Sequence, residues 1–292
     1  MILRIDGHPI EFVEGIGSIV DRYDGFLSDI WGVLHDGVRL YPGVRDCLEK
    51  LKKKQKKIIL LSNSARLPSE IEKQLGHLGL SNDLYDHVLS SGELTQQVFL
   101  TGLDSRIIEL GDKYFLLGPE EYRLVDGLDL QKTDDIFQAG FLLCIGVTGN
   151  PSTTVGAEPM LQEAAARNLT MVCANPDVHV VRDSVMGIGS GALASRYEAL
   201  GGRVIYFGKP HRAIYHRCLQ LLDMDINRVV AVGDSLKTDI TGASAMGLDS
   251  ILVASGIHAD KLRNLPGDCS GLSSLLHKEQ VFPTMTTNGF FW

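Results

Sequence analysis

Apolar residues in this chain come in short runs, and each run ends in polar side chains. Phe26-Leu27 leads into Ser28-Asp29, and Ile58-Ile59-Leu60-Leu61 leads into Ser62-Asn63-Ser64. Val204-Ile205-Tyr206-Phe207 ends at Gly208-Lys209-Pro210, and Val229-Val230-Ala231-Val232 ends at Gly233-Asp234, with Asp239 following. A fifth run is Ile251-Leu252-Val253-Ala254. Runs this short and this apolar read as strands buried on both faces of a parallel sheet. Helices are predicted between them, over about 44–55, from near 70 to 79, over 210–222 with Pro210 at the first helical position, and over 238–246. Ser69 and Glu72 have the spacing of a capping box. Strand–helix alternation of this kind predicts a Rossmann-like, doubly wound α/β sheet. Ahead of it, Phe12, Ile16, Ile19 and Val20 fall near helical spacing and predict a short helix at 13–22.

From about 85 to 200 the core pattern stops. That segment has strand-like runs at Arg106–Leu110, Phe115–Leu117, Phe141–Val147 and Leu169–Ala174, and helix-like stretches near 94–102, 157–167 and 189–200. It is too long and too patterned for a loop. We expect an inserted α/β domain over 85–203, between core segments 1–84 and 204–292, with Gly201-Gly202 marking the approximate return.

Open α/β sheets bind ligands outside the carboxyl ends of their strands. The four runs deliver to those ends, in order, Asp29, Ser62, Lys209 and the Asp234/Asp239 pair. Taken singly, each has an ordinary structural reading: Asp29 as a turn former, Lys209 as a surface lysine, Asp234 as a loop acid, Asp239 as a helix cap. Together they supply a carboxylate nucleophile, a hydroxyl donor, a cation and a metal-binding acid pair, which is the outfit of phosphoryl transfer.

The ordered set Asp29-Ile30-Trp31-Gly32-Val33-Leu34, Ser62-Asn63-Ser64, Asn175-Pro176-Asp177, Gly208-Lys209-Pro210 and Gly233-Asp234…Asp239 resembles the haloacid dehalogenase superfamily. Within it, the set is similar to class II, subgroup A, the 4-nitrophenylphosphatase, pyridoxal phosphatase and ribonucleotide monophosphatase-like proteins. The resemblance implies a core with a large inserted α/β cap and a Mg²⁺-dependent phosphatase acting on a small phosphorylated metabolite through an aspartyl-phosphate. It implies Asp29 as nucleophile and Mg²⁺ held by Asp29, the Trp31 backbone carbonyl, Asp234 and Asp239. The phosphoryl group would meet Trp31, Gly32, Ser62, Asn63, Ser64 and Lys209, and Asp177 would lie on a substrate-facing cap loop that continues into Gly187-Ile188-Gly189-Ser190-Gly191. Members of the family form cap-to-cap dimers, so a homodimer is an expectation too.

One position departs from that pattern. Family phosphatases carry a second aspartate two residues after the nucleophile, which protonates the leaving alkoxide; here Trp31 stands there, and an indole cannot. Three readings follow. The protein is a phosphatase whose proton comes from His35, Asp36 or the cap, or whose substrate has a good leaving group. Alternatively it is a catalytically impaired phosphate-binding protein. Lowest ranked is dehalogenase-like chemistry on carbon, since a halide needs no proton to leave. His35 would suit acid catalysis at neutral pH, while its plainer reading, and that of His258, is a loop histidine.

Composition narrows this further. A net charge of −8 gives no basic footprint for nucleic acid. The five cysteines are scattered with no C-x-x-C spacing, as in a reducing, cytoplasmic compartment. No run approaches the length of a membrane span, and the amino-terminal residues lack a signal-peptide core. The cluster Lys52, Lys53, Lys54, Lys56 and Lys57 reads as a solvated face, and the tail from Phe282 to Trp292 is unpatterned.

Overall fold

The structure is a computed structural model that describes the chain apart from residues 103, 150–152, 183–184 and 264. Its strands in chain order are β1 (Ile2–Ile5), β2 (His8–Phe12), β3 (Gly25–Asp29), β4 (Lys57–Ser62), β5 (His87–Ser90), β6 (Lys113–Leu117), β7 (Gln131–Thr133), β8 (Phe141–Cys144), β9 (Thr170–Cys173), β10 (His179–Arg182), β11 (Val185–Ile188), β12 (Arg203–Tyr206), β13 (Val229–Gly233), β14 (Asp249–Val253) and β15 (Met285–Thr287). The chain divides into two compact units: residues 1–62, 69–89 and 209–292, and residues 63–68 and 90–208.

The first unit is built on an eight-stranded sheet ordered β1-β2-β15-β14-β13-β3-β4-β5. Neighbours from β2 to β4 are parallel, and β1 pairs antiparallel to β2. Strand side chains alternate between faces. Phe26, Ile58, Leu60, Val230, Val232, Ile251 and Val253 pave one face, against helix α1 (Val44–Lys53) and helix α2 (Pro68–His77). Leu252 and Ala254 join the opposite layer with Leu236, Ile240 and Leu272. These are the layers of a doubly wound fold.

The second unit has its own five-stranded sheet, β12-β9-β8-β6-β7, parallel at every pairing, and a separate β10–β11 hairpin. Its core packs helices α5 (Glu158–Ala166) and α6 (Ser190–Ala199) on Leu142, Cys144, Met171 and Cys173; helices α3 (Ser91–Thr101) and α4 (Ser105–Ile108) precede them in the chain.

Several expectations need correcting. The run Val204–Phe207 is not a core strand: β12 pairs with β9 in the second unit, which therefore extends to Gly208. Periodicity could not show this, because a buried strand reads alike in either sheet. Arg106–Leu110 is not a strand: Asp104 caps a helix there by accepting from the Arg106 N–H, and α4 results. The expected helix at 13–22 shrinks to one turn, Ile16–Ser18. Gly15 and Gly17 lie against Phe291 and the Trp292 indole, so the tail fills the space a longer helix would need. That tail is itself ordered, adding β15 to the sheet and burying Phe290. The helix expected to begin at Pro210 starts at Arg212, as α7 (Arg212–Leu222).

Nor are all the clustered lysines solvated. Lys56 is buried and donates to Asp24 Oδ1 at 2.9 Å, while Arg228 Nε donates to Asp24 Oδ2 at 2.8 Å. Asp24, Lys56 and Arg228 precede β3, β4 and β13, so one carboxylate ties together the amino ends of three neighbouring strands. The hydrogen bonds from Arg228 and Lys56 hold the Asp24 carboxyl down at about 2. Because that value lies below the unfolded one, the stabilisation is complete above pH 4 and is lost as pH falls toward 2. Asp24 is half exposed, so the effect is small. We expect Asp24→Asn to melt about 1–3 °C below the parent at pH 6, with the gap closing by pH 2 to 3 in a pH series of thermal melts.

Candidate active site

Asp29 is the last residue of β3, and Ser62 the last of β4 beside it. Gly233 ends β13 on the other side of β3, and Asp234 follows it. All three side chains therefore reach the carboxyl edge of the sheet from adjacent strands. A wide, π-helical turn at Leu236–Ile240, continuing into helix α8 (Thr241–Met246), returns Asp239 to the same place. Carboxylate oxygens of Asp29, Asp234 and Asp239 all lie within 4.8 Å of one another.

Lys209 is drawn into this cluster. Its side chain is 3% exposed, and Nζ lies 2.7 Å from both Asp29 Oδ1 and Asp239 Oδ1. A third bond goes to the Leu61 carbonyl at 3.4 Å. Burial alone would lower the ammonium pKa, but Asp239 and Asp29 outweigh it and hold Lys209 well above its ordinary value. It is a fixed cation. The Asp29 carboxyl moves the other way, raised to about 7 by burial and by the Asp239 charge, against the pull of Lys209. Burial, then Asp29 and Asp239, likewise push Asp234 well above the carboxylate range.

The cluster thus holds three acids and one cation, and it resists full ionisation as it stands. A bound cation would relieve that repulsion. The all-oxygen donor set fits a hard divalent ion such as Mg²⁺.

Loops fix each acid in place. Asp29 Oδ1 accepts from the Ile30 N–H at 2.7 Å as well as from Lys209, whereas among the described residues Oδ2 has no protein donor. Asp234 Oδ2 accepts from the Ile257 N–H at 2.7 Å, and Asp239 Oδ2 from the Ser235 N–H at 3.2 Å. Tyr215 on α7 donates to the Asp239 carbonyl at 3.1 Å. Gly32 and Gly256 flank Asp234 so closely that a methyl group at either would overlap its carboxylate; Gly233 stands in the same relation to Asp239. Gly32 also has φ +82, a region L side chains rarely adopt.

Some of this was not signalled by the motifs. The sequence motifs do not mark the Ser255–Ile257 turn, yet Ser255 Oγ donates to the Gly32 carbonyl at 2.8 Å and the Ile257 N–H holds Asp234. The available signal was a small-residue turn at the carboxyl end of β14. His258 itself sits in a short helical turn, half buried, with its pKa lowered chiefly by burial.

Trp31 is partly buried in the loop after β3, where it bridges to His35. His35 is buried and accepts from the Gly37 N–H through Nδ1 at 2.9 Å; burial lowers its pKa. In the neutral ring, Nε2 then carries the proton. Asp36 Oδ1 accepts from the Val38 and Arg39 N–H groups, the work of a turn aspartate.

The remaining expected residues belong to the second unit. Asn63 is buried there, and its Nδ2 donates to Asp177 Oδ1 at 2.8 Å. The Ser64 carbonyl accepts from the Gly92 N–H, and its Oγ from the Arg66 N–H.

Comparison with known proteins agrees with this geometry. Residues 26–125 match a haloacid dehalogenase-like hydrolase family, and residues 206–269 match a HAD-hydrolase-like one. A haloacid dehalogenase-like family hydrolase from Brucella suis 1330 is 30% identical, with a TM-score of 0.82 over 96% of this chain and 100% of that one. Bovine (Bos taurus) chronophin is 27% identical over 267 residues, 82% of this chain and 84% of its own length. Ribonucleotide monophosphatase NagD of Escherichia coli K12 is 28% identical over 257 residues, 82% and 91% of the two chains. The chain belongs to the haloacid dehalogenase-like hydrolases, in their class II.

Proposed function

We propose that the protein is a Mg²⁺-dependent phosphatase that hydrolyses a small phosphorylated metabolite through an aspartyl-phosphate on Asp29. The observation that carries this reading is the meeting of Asp29, Asp234 and Asp239 around the buried Lys209 ammonium. Relatives named for phosphatase activity support it: ribonucleotide monophosphatase NagD, and the acid sugar phosphatase of Staphylococcus haemolyticus, 24% identical over 238 residues.

In this reading Asp29 Oδ2 attacks phosphorus, the ester P–O bond breaks, and the leaving group departs with the bonding pair. Water then attacks the phosphorus of the acyl phosphate, releasing inorganic phosphate and restoring the Asp29 carboxylate. Lys209 keeps Asp29 oriented and offsets phosphoryl charge, and Ser62 donates its hydroxyl to a phosphoryl oxygen. Asp29, the Trp31 carbonyl, Asp234 and Asp239 would hold Mg²⁺, which when bound offsets the repulsion between carboxylate and phosphate.

Trp31 shapes the substrate range. No carboxyl group follows Asp29 at the position from which family phosphatases protonate the leaving oxygen, and general acid help is worth about 10²–10⁴-fold. His35 is a poor substitute, because burial disfavours its charged form and its Nδ1 is engaged by Gly37. The substrate class we assign is therefore phosphates whose leaving group departs without a proton, acyl or aryl rather than alkyl. A ligand-binding protein without turnover is the alternative that Trp31 keeps open.

Phosphate release from acyl, aryl and alkyl phosphates should follow leaving-group acidity, and Asp29→Asn should lower it at least about 10³-fold. Equal rates for aryl and alkyl esters, limited by chemistry, would overturn the assignment. Chelation should abolish turnover and Mg²⁺ restore it; Mg²⁺ should also raise the melting temperature of the parent but not of Asp234→Asn. In a folded Trp31→Asp variant, alkyl phosphate turnover should rise about 10²-fold; no gain would show that another acid already serves.

A further inference from the structure

Asn63 follows Ser62 directly, yet the two residues belong to different units: Ser62 ends the first segment of one, and Asn63 begins the other. Within the second unit, residues 63–66 are held from several sides. Asn63 is 3% exposed and donates to Asp177 Oδ1 at 2.8 Å, while Ser91 Oγ donates to Asn63 Oδ1 at 3.4 Å. The Ser64 carbonyl accepts from the Gly92 N–H at 3.0 Å, and the Arg66 carbonyl from Ser90 Oγ at 2.6 Å. Gly208 has no room for a side chain, since a methyl group there would overlap Ser91 Oγ and press on Asn63 and Pro176.

Asp177 is anchored in turn. Its N–H donates to Asn175 Oδ1 at 3.0 Å, and its carbonyl accepts from the Gly191 N–H at 3.0 Å, in the first turn of α6. Gly189 and Gly191 pack against the carbonyls of Asp177 and Pro176 with no space for a Cβ. The carboxylate that grips Asn63 is thus mounted on a helix end and a strand end rather than on a free loop. A charge-assisted bond on a buried amide is strong and directional.

We propose that Asp177 is a positioning residue: its carboxylate clasps the Asn63 carboxamide and so fixes the peptide that follows Ser62. This rests on the phosphatase reading, in which that peptide and the Ser62 hydroxyl face the phosphoryl group. Asp177 then acts through Asn63 and does not touch substrate. Small displacements of such groups cost rate because attack geometry is demanding.

The test is a reciprocal swap. Asp177→Ala removes the acceptor, and Asn63→Asp sets two carboxylates against each other. Each should lower kcat for an aryl phosphate about 10- to 100-fold, with KM changing less than kcat. Combining Asn63→Asp with Asp177→Asn reverses donor and acceptor across the same contact and should recover most of the lost kcat. Unchanged kcat in folded single variants would overturn the proposal, and so would a folded swap that recovers nothing, which would place each residue on the substrate separately. Hydrogen exchange at the amides of residues 64–66 gives a second readout that needs no turnover. Exchange should be fast in the single variants and slow again in the swap; exchange that is slow throughout would also overturn the clasp. A parent without phosphatase activity would fail the functional reading, and the exchange data would still decide the clasp.

Discussion

The buried Lys209 ammonium between Asp29 and Asp239 is the interaction on which the rest of the site depends. An ion taken out of water this completely is tolerated only when its partners are close and well placed; removing one partner of such a pair costs about 3–5 kcal/mol. Lys209 has two carboxylates at 2.7 Å and a carbonyl besides. It also faces more negative charge than it can balance, because Asp234 belongs to the same cluster. Asp29 and Asp234, raised by burial and by neighbouring carboxylates, would be lowered in energy by a bound cation.

The two ends of the same strands handle charge in opposite ways. At the amino ends of β4, β3 and β13, Asp24 is matched by Lys56 and Arg228, and the carboxyl is held low. At the carboxyl ends of β3 and β13, Asp29 and Asp234 are held high. A satisfied cluster at one edge and an unsatisfied one at the other is the usual division between holding a sheet together and leaving it something to do. The glycines agree: Gly32, Gly233 and Gly256 surrender side chains so that the acids can be crowded.

The junctions of the two units also carry chemistry. Ser62 is the last residue of the first unit before the chain first enters the second, and Lys209 is the first after its final return. Both side chains are therefore set at crossovers, where the neighbouring residues, Asn63 and Gly208, are packed into the second unit with almost no slack. Trp31 is the contrary element. Its indole offers no acid for proton transfer, and in the same loop His35 and Asp36 are engaged in holding the turn.

Much of this was legible from the chain alone. Short, uniformly apolar runs ending in polar residues specify a buried parallel sheet, because strands covered on both faces are that apolar. A sheet of that kind binds ligands at the strand carboxyl ends, so Asp29, Ser62 and the Asp234/Asp239 pair could be expected together at one edge from position and chemistry. What periodicity cannot carry is which sheet a strand joins. β12 reads like a core strand and belongs to the second unit, since pairing partners are chosen by contacts far away in sequence. Tertiary structure likewise decided the fate of 13–22, where the tail occupies the space a helix would take, and of Asp177, whose carboxylate meets an amide more than a hundred residues earlier. The sequence by itself determined the chemical kinds of group and their order. Tertiary structure decided which of them share a proton, a charge or a hydrogen bond, because those couplings depend on distances of a few ångströms that no local pattern encodes.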